Sequence, residues 1–240
     1  VFVLGLAKKV LIADTFGMAV DLAYSDVSTI NGLESFLTII FYSLQLYFDF
    51  SGYCDMALGM SKMFNIELPI NFNSPYKAKT VSEFWGRWHM TLTRFFTHYM
   101  YIPLGGNRKG KVRTYLNTLI VFLLSGIWHG AAWTYIVWGA LQGFAYCLNK
   151  AFYKQWNKMN QILQWFITFI FVNVSWLFFR ALSVGQAIDI LKKIFRMEST
   201  AISEGLLECF RIPEITFLSG RLEKFATFVT NHRGTEMSAF

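Results

Sequence analysis

The stretch SGIWHGAAW, residues 125–133, places a single titratable side chain, His129, among apolar and small residues. Desolvation disfavours a charged imidazole, so a histidine in such surroundings tends to stay neutral and can accept a proton. The flanking Gly126 and Gly130 would let another backbone or a substrate approach closely. A histidine that only hydrogen-bonds between helices has the same neighbours. The residue types therefore leave both a catalytic and a structural role open.

A second histidine, His89, lies in a stretch that we predict to be one helix of about 20 residues. At about 100° per residue His89 falls on the apolar side of that helix, whereas His98 shares a stripe with arginines. A functional role for His89 depends on its meeting His129 in one cavity. We expect His98 and His232 to be solvated or paired with charges.

Two acidic residues, Asp49 and Asp55, lie within a long apolar run. Their spacing puts them on different faces of a regular helix. They could form a proton relay, or they could be partners for Tyr53, Lys62 or the arginines. Both interpretations remain open.

The cysteines and the sequence motifs indicate no further catalytic or metal-binding site. Cys54, Cys147 and Cys209 lie far apart in apolar contexts, without the spacing of a zinc site, so we expect buried packing thiols and no metal. We find no serine nucleophile elbow, phosphate-binding loop or dinucleotide fingerprint.

The composition indicates the environment of these residues. The 240 residues are 54% hydrophobic and only 15% charged, whereas soluble domains hold about a quarter charged residues. That is too little polar surface for a water-soluble globule, so we predict a lipid-embedded chain. The net charge of +7 comes from short basic clusters between apolar runs. This pattern is typical of loops at an anionic membrane face, and we expect no nucleic-acid partner.

The elements that must position the histidines are predicted to be helices throughout. We expect an all-α, polytopic membrane protein, with interfacial helices and one re-entrant segment if the basic clusters share the cytoplasmic side. In its first part we predict a weak span or interfacial helix at residues 2–22, a span at 35–63 and a loop at 64–79. A helix then begins at Thr80 and Glu83, which have capping-box spacing. Two short spans within 114–149 that turn near Gly126–Gly130, a span at 162–179 and an amphipathic interfacial helix over 187–196 complete the prediction.

Five stretches occur together in one order, and the resemblance that they carry covers roughly residues 1–180. They are YSLQLYFDFSGYCDMALGMSKMF (42–64), LPINFNSPY (68–76), FWGRWHMTLTRFF (84–96), YIPLGGNRKG (101–110) and SGIWHGAAWTYIVWG (125–139). As a set they resemble the membrane-bound O-acyltransferases, in the bacterial alginate O-acetyltransferase-like branch. Members of that family are longer, so we expect the chain to be a fragment that lacks the N-terminal helices.

The resemblance implies a site and a chemistry. The family's catalytic histidine falls on His129, and its second histidine falls on His89. Acyl transfer from a thioester to an alcohol needs a base for the hydroxyl proton and donors for the oxyanion. His129 would be that base, and His89 would orient the acyl donor or bond its carbonyl. The residues expected to attract an anionic donor, acetyl-CoA or an acyl-carrier thioester, are Arg87, Arg94, Arg108 and Lys109. No tightly bound cofactor is expected.

The function implied is transfer of an acyl group, with acetyl favoured, to a hydroxyl of an exported polysaccharide or of a periplasmic partner protein. It would take place in a multi-pass protein of the cytoplasmic (inner) membrane. D-alanyl transfer, peptidoglycan O-acylation, a transporter or proton pathway and a non-catalytic scaffold remain alternatives. We expect one membrane-embedded domain over 1–240, with a catalytic core at 35–150 and an unassigned segment at 198–240.

Overall fold

The computed structural model describes residues 1–197 and 199–211, and these residues form helices joined by turns, with no strand among them. Contacts divide the chain into one unit of residues 1–201 and a second that begins at Ile202, within the segment 198–240. His232 and most of that segment lie outside the described residues. The all-α prediction is confirmed for the described part.

The helices follow one another along the chain with short connections. The first unit holds α1 (Phe2–Ala7), α2 (Asp14–Ser25), α3 (Gly32–Met63), α4 (Val81–Trp85), α5 (Met90–Phe96), α6 (Gly110–His129), α7 (Trp133–Ala151), α8 (Tyr153–Trp156), α9 (Gln161–Arg180) and α10 (Val184–Arg196), with π-helical turns at Lys8–Ala13 and Thr97–Tyr101 and a 3-10 turn at Pro75–Lys77; the second unit holds α11 (Glu204–Glu208).

Helix α3 begins earlier than the predicted span at residue 35 because a capping box fixes its start. The side chain of Asn31 accepts a hydrogen bond from the backbone N–H of Glu34 at 3.0 Å, and the Glu34 carboxylate accepts one from the Asn31 N–H at 3.0 Å. Each bond satisfies an N–H that the helix itself leaves unpaired. The 32 residues of α3 extend for about 48 Å at 1.5 Å per residue.

Glycines bring α1 and α3 close together. A Cβ built at Gly52 would lie 2.7 Å from the carbonyl oxygen of Gly5, and one at Gly59 would lie 2.6 Å from the backbone nitrogen of Phe2. Only residues without a side chain allow this approach.

The same contact places the two aspartates of α3 opposite lysines. Lys8 Nζ lies 2.6 Å from the Asp55 carboxylate, and Lys9 Nζ lies 2.6 Å from the Asp49 carboxylate. Lys9 also pairs with Asp14 at 2.8 Å. The aspartates therefore have ion-pair partners on the preceding π-helical turn, which the sequence did not identify as their partners.

The prediction of one continuous helix over residues 80–99 is wrong, because the structure has two short helices there. Thr80 does cap it, since its hydroxyl oxygen accepts a hydrogen bond from the N–H of Glu83 at 2.9 Å. However, α4 ends at Trp85 and α5 starts only at Met90, because His89 has a left-handed backbone with φ 41°. A helix cannot continue through that conformation.

Helices α6 and α7 form the predicted hairpin, which turns just after His129. A Cβ at Gly139 would lie 2.5 Å from the carbonyl oxygen of Phe122, and one at Gly143 would lie 3.1 Å from the Phe122 side chain. The two glycines are four residues apart on α7 and form the small-residue face that lets helix backbones meet closely.

One described helix, α9, is both long and apolar enough to cross a membrane by length and composition. It contains the predicted span 162–179. Helix α10 contains the predicted amphipathic segment, with Ala187 and Ile190 buried on its inner face and Lys192 half exposed on the other. Strong segregation of apolar and charged faces is typical of helices at an interface.

Buried aromatic rings join α4, α7 and α9. Trp138 and Trp176 are nearly inaccessible and stack with ring centroids 5.8 Å apart. A polar chain crosses the same core: Trp85 Nε1 donates to Gln142 at 3.1 Å, and Gln142 Nε2 donates to Ser175 Oγ at 2.6 Å. This core supports both predicted histidines.

Candidate active site

His129 is the last residue of α6, and its half-buried ring is surrounded by aromatic side chains. The ring centroid lies 4.9 Å from that of Phe179, 5.3 Å from Trp138 and 4.8 Å from Trp128. Tyr135 stacks nearby at 6.4 Å. No described residue hydrogen-bonds to the imidazole, so neither ring nitrogen is engaged by the described part of the protein. A substrate hydroxyl could therefore use either nitrogen.

The glycines beside His129 serve the packing of one tyrosine. A Cβ at Gly130 would lie 2.5 Å from a ring carbon of Tyr135, and one at Gly126 would collide with the Tyr135 carbonyl. The sequence predicted a close approach of backbone or substrate at these positions. The structure assigns that approach to α7 of the same chain.

His89 is held in the break between α4 and α5, two helices that are each too short to span a bilayer. Its Nδ1 lies 3.2 Å from Oδ1 of Asn71, and its ring meets Phe50 edge to face at 4.7 Å. Half-burial lowers the pKa of the His89 imidazole from its ordinary value, because desolvation disfavours the charged ring.

The two histidines are held by elements that pack on the same aromatic core, and a cavity shared by both stays a prediction. The aromatic core also connects them: Trp138 contacts His129, Trp176 stacks on Trp138, and Trp88, next to His89 in the chain, lies 5.1 Å from Trp176. An imidazole can transfer a proton or bind a substrate by a hydrogen bond, so each histidine is a candidate site residue.

The four basic residues predicted to bind an anionic donor do not behave alike. Arg87 is tied to its own loop, since it pairs with Glu83 at 2.7 Å and donates to the carbonyl of Asn73 at 3.2 Å. The other three, Arg94, Arg108 and Lys109, are exposed and form no ion pair with a described residue. Arg87 therefore has a structural task that the sequence did not reveal.

A cavity of about 340 Å³ lies between α5, the following π-helical turn, α6 and α7. Ser125, one helical turn before His129, lies at its wall, as do Tyr101 and Lys150. Neither histidine lines it. This cavity could not be predicted from the sequence because its walls come from distant segments.

Asn71 is the residue of this region that sequence reasoning missed. Its side chain contacts both His89 and Thr91, although it lies 18 residues before His89 in the chain. Its place within the stretch LPINFNSPY was the only available signal. Among the described residues, no group of His, Cys, Asp and Glu side chains is arranged to hold a metal ion, and the three cysteines are free thiols.

Comparison with known proteins places the chain in a family. Residues 9–185 match the model of the membrane-bound O-acyltransferase family. The chain is 47% identical over 206 residues to the peptidoglycan O-acetyltransferase of Helicobacter pylori, covering 84% of this chain and 39% of that protein. It is 40% identical over 205 residues to the probable alginate O-acetylase AlgI of Pseudomonas putida, covering 85% and 42%.

A relative of lower identity is named for the transfer of a different acyl group, D-alanyl. The teichoic acid D-alanyltransferase of Bacillus subtilis is 35% identical over 134 residues, covering 52% of this chain and 33% of that protein. The chain thus spans about two fifths of the length of the first two relatives. The match over residues 9–185 includes both histidines and the helices that hold them, and the chain belongs to the membrane-bound O-acyltransferase family.

Proposed function

We propose that the protein is a membrane O-acetyltransferase that takes an acetyl group from a cytoplasmic thioester and delivers it to a hydroxyl of a cell-envelope polysaccharide. The relatives that match over about 85% of the chain are named as O-acetyltransferases or O-acetylases. The D-alanyl-transferring relative from Bacillus subtilis matches over a shorter stretch at lower identity. This difference favours acetyl over D-alanyl as the group transferred.

His129 acts as the general base in the proposed reaction. The acceptor hydroxyl oxygen attacks the thioester carbonyl while its proton passes to His129. The new C–O bond forms, the C–S bond breaks, and the proton returns from His129 to the departing thiolate. A positioned base contributes about 10²–10⁴-fold to such a step. Acetyl-CoA or an acetylated carrier protein supplies the thioester, without a tightly bound cofactor.

The observation that carries this proposal is the environment of His129. The imidazole is enclosed by Trp138 and Phe179 but has no hydrogen-bond partner among the described residues. A histidine with a purely structural role would be expected to bond a neighbouring helix. A base awaiting its substrate would keep a nitrogen available.

The exposed Arg94, Arg108 and Lys109 are proposed to attract the anionic donor from the cytoplasmic side. Four helices, α3, α6, α7 and α9, would then cross the inner membrane. The site between them would allow the acetyl group to reach the acceptor. The acceptor is either the polysaccharide itself or a periplasmic partner protein that completes the transfer.

Peptidoglycan and an alginate-type polymer are the two acceptors suggested by the relatives' names. A strain lacking the intact protein would be compared with one in which it is restored, and ester-bound acetyl would be measured separately in peptidoglycan and in exopolysaccharide. Acetyl that disappears from one polymer and returns on restoration identifies the acceptor. Unchanged acetyl in both polymers, with loss of ester-bound D-alanine, would overturn the acetyl assignment.

A further inference from the structure

Asn71 Oδ1 is a hydrogen-bond acceptor whose identity is fixed by its surroundings. It lies 3.2 Å from the backbone nitrogen of Thr91 and 2.6 Å from the Thr91 hydroxyl oxygen. A backbone N–H can only donate, so the atom facing it must be the amide oxygen and not the amide nitrogen. The reverse orientation of the Asn71 amide would place two donors face to face.

This orientation determines which nitrogen of His89 carries the proton. Nδ1 of His89 has two polar side-chain neighbours, Asn71 Oδ1 at 3.2 Å and Thr91 Oγ1 at 3.5 Å. The single hydroxyl proton of Thr91 is already donated to Asn71 at the shorter distance of 2.6 Å. Both neighbours therefore present lone pairs to Nδ1, and a bare Nδ1 would face two acceptors. Nδ1 must be the protonated nitrogen of the neutral ring.

Asn71 also holds the backbone that carries His89. Its carbonyl oxygen accepts a hydrogen bond from the N–H of Met90 at 3.0 Å, and the N–H of the nearby Asn73 donates to the carbonyl of Arg87 at 3.0 Å. These bonds flank His89, whose φ of 41° is an unusual conformation for a residue other than glycine. Strained backbone at functional sites persists where the surroundings impose it.

We infer that Asn71 is a positioning residue that fixes His89 as the Nδ1–H tautomer, so that Nε2 faces the substrates as a hydrogen-bond acceptor. No described residue bonds to Nε2, which leaves this nitrogen available. A neutral His89 then cannot donate to the acyl carbonyl, in contrast to the role expected from the sequence. Nε2 accepts instead from a substrate N–H or O–H, of which the acceptor hydroxyl is one. The role in transfer rests on the proposed function, but the tautomer does not.

The direct test is ¹⁵N NMR of the intact protein, labelled in the histidine rings and reconstituted in lipid nanodiscs, with His89→Gln used to assign the signal. The bare nitrogen of a neutral imidazole resonates well downfield of the protonated one, so the spectrum determines the tautomer without an activity assay. We expect a protonated Nδ1 and a bare Nε2. A bare Nδ1 with a protonated Nε2 would overturn the inference, whatever reaction the protein performs.

The kinetic test uses three variants in the same loop. Asn71→Asp keeps an oxygen for Thr91 and His89, and we expect it to keep the tautomer and most of the kcat. Asn71→Ala removes the acceptor, and kcat should fall by at least about tenfold, as for other residues that orient a functional histidine, with a smaller change in KM for the donor. Asn73→Ala is the matched control, since Asn73 is exposed and only its backbone takes part in the hydrogen bonds described above.

Two outcomes would contradict the positioning role. One is an Asn71→Ala variant whose kcat and His89 signal equal those of the Asn73→Ala control. The other is an Asn71→Asp variant that folds normally, keeps the Nδ1–H tautomer and yet loses as much kcat as Asn71→Ala. If the wild-type protein transferred no acetyl at all, the proposed function would fail while the NMR result would still decide the tautomer.

Discussion

The imidazole of His129 meets the indole of Trp138 edge to face, with ring centroids 5.3 Å apart and ring planes at 89°. Trp138 is itself completely buried and stacked on Trp176 of α9. The last side chain of α6 is therefore set against a rigid surface made by α7 and α9. The position of His129 depends on how closely these three helices pack.

Helix packing can be tested at Gly139. A Cβ there would lie 2.5 Å from the Phe122 carbonyl oxygen, so Gly139→Leu should separate α6 from α7 and destabilise the protein by more than the about 1–3 kcal/mol typical of overpacking. Thermal unfolding in detergent would show a lower midpoint. Gly185→Ala is the control, since its added Cβ would have only Ser183 Oγ in contact, at 3.7 Å. Equal midpoints for both variants would contradict the close packing.

The buried chain from Trp85 through Gln142 to Ser175 gives a second prediction. Gln142→Leu leaves the buried Trp85 N–H without its acceptor, at a cost of about 1–3 kcal/mol for an unsatisfied group, whereas the Ser175 hydroxyl still donates to the Val172 carbonyl at 2.7 Å. Gln142→Glu should be worse at neutral pH, because it places a carboxylate in a site with no exposed surface. The unfolding midpoint should be highest for the wild type, lower for Gln142→Leu and lowest for Gln142→Glu. A Glu variant as stable as the wild type would contradict this prediction.

Replacing Asp49 and Asp55 of α3 distinguishes an acyltransferase from a proton pathway. Asp49 and Asp55 are ion-paired with Lys9 and Lys8 and are partly exposed, and such pairs contribute about 0–1 kcal/mol. We expect the double variant Asp49→Asn, Asp55→Asn to keep acetyl transfer within about threefold of wild type, after correction for protein level. Complete loss of transfer with normal folding would favour a proton relay.

Local signals in the sequence predicted most helices, and the exceptions have physical causes. Apolar runs placed α3, α6, α7 and α9, and the spacing of Thr80 and Glu83 marked the start of α4, because caps and hydrophobic runs act within a few residues. The break at His89 was missed because its cause, Asn71, lies 18 residues away and acts only in the folded chain. Long-range hydrogen bonds of this kind leave no periodic signal.

The candidate site shows the same division. The residue types and the family resemblance predict His129 and His89 as site residues, and their roles stay predictions. Arg87 was assigned to donor binding because one sequence cannot show that its partners are Glu83 and the Asn73 carbonyl. The cavity near Ser125 depends on the packing of four elements and was equally out of reach.

The central claim is that His129 is the base for acyl transfer. The decisive measurement is the rate of transfer of radiolabelled acetyl from acetyl-CoA, or from an acetylated carrier protein, to polymer in membranes that contain the intact protein. His129→Ala and His129→Gln are compared with wild type at equal protein level, and His98→Ala is the control, since His98 is exposed.

We expect both His129 variants to lose at least about 10²-fold in rate, with the unfolding midpoint of His129→Gln unchanged, while the control transfers at the wild-type rate. Full transfer by His129→Gln would contradict the account. The histidine would then only pack against its aromatic neighbours, and the base would have to be sought elsewhere.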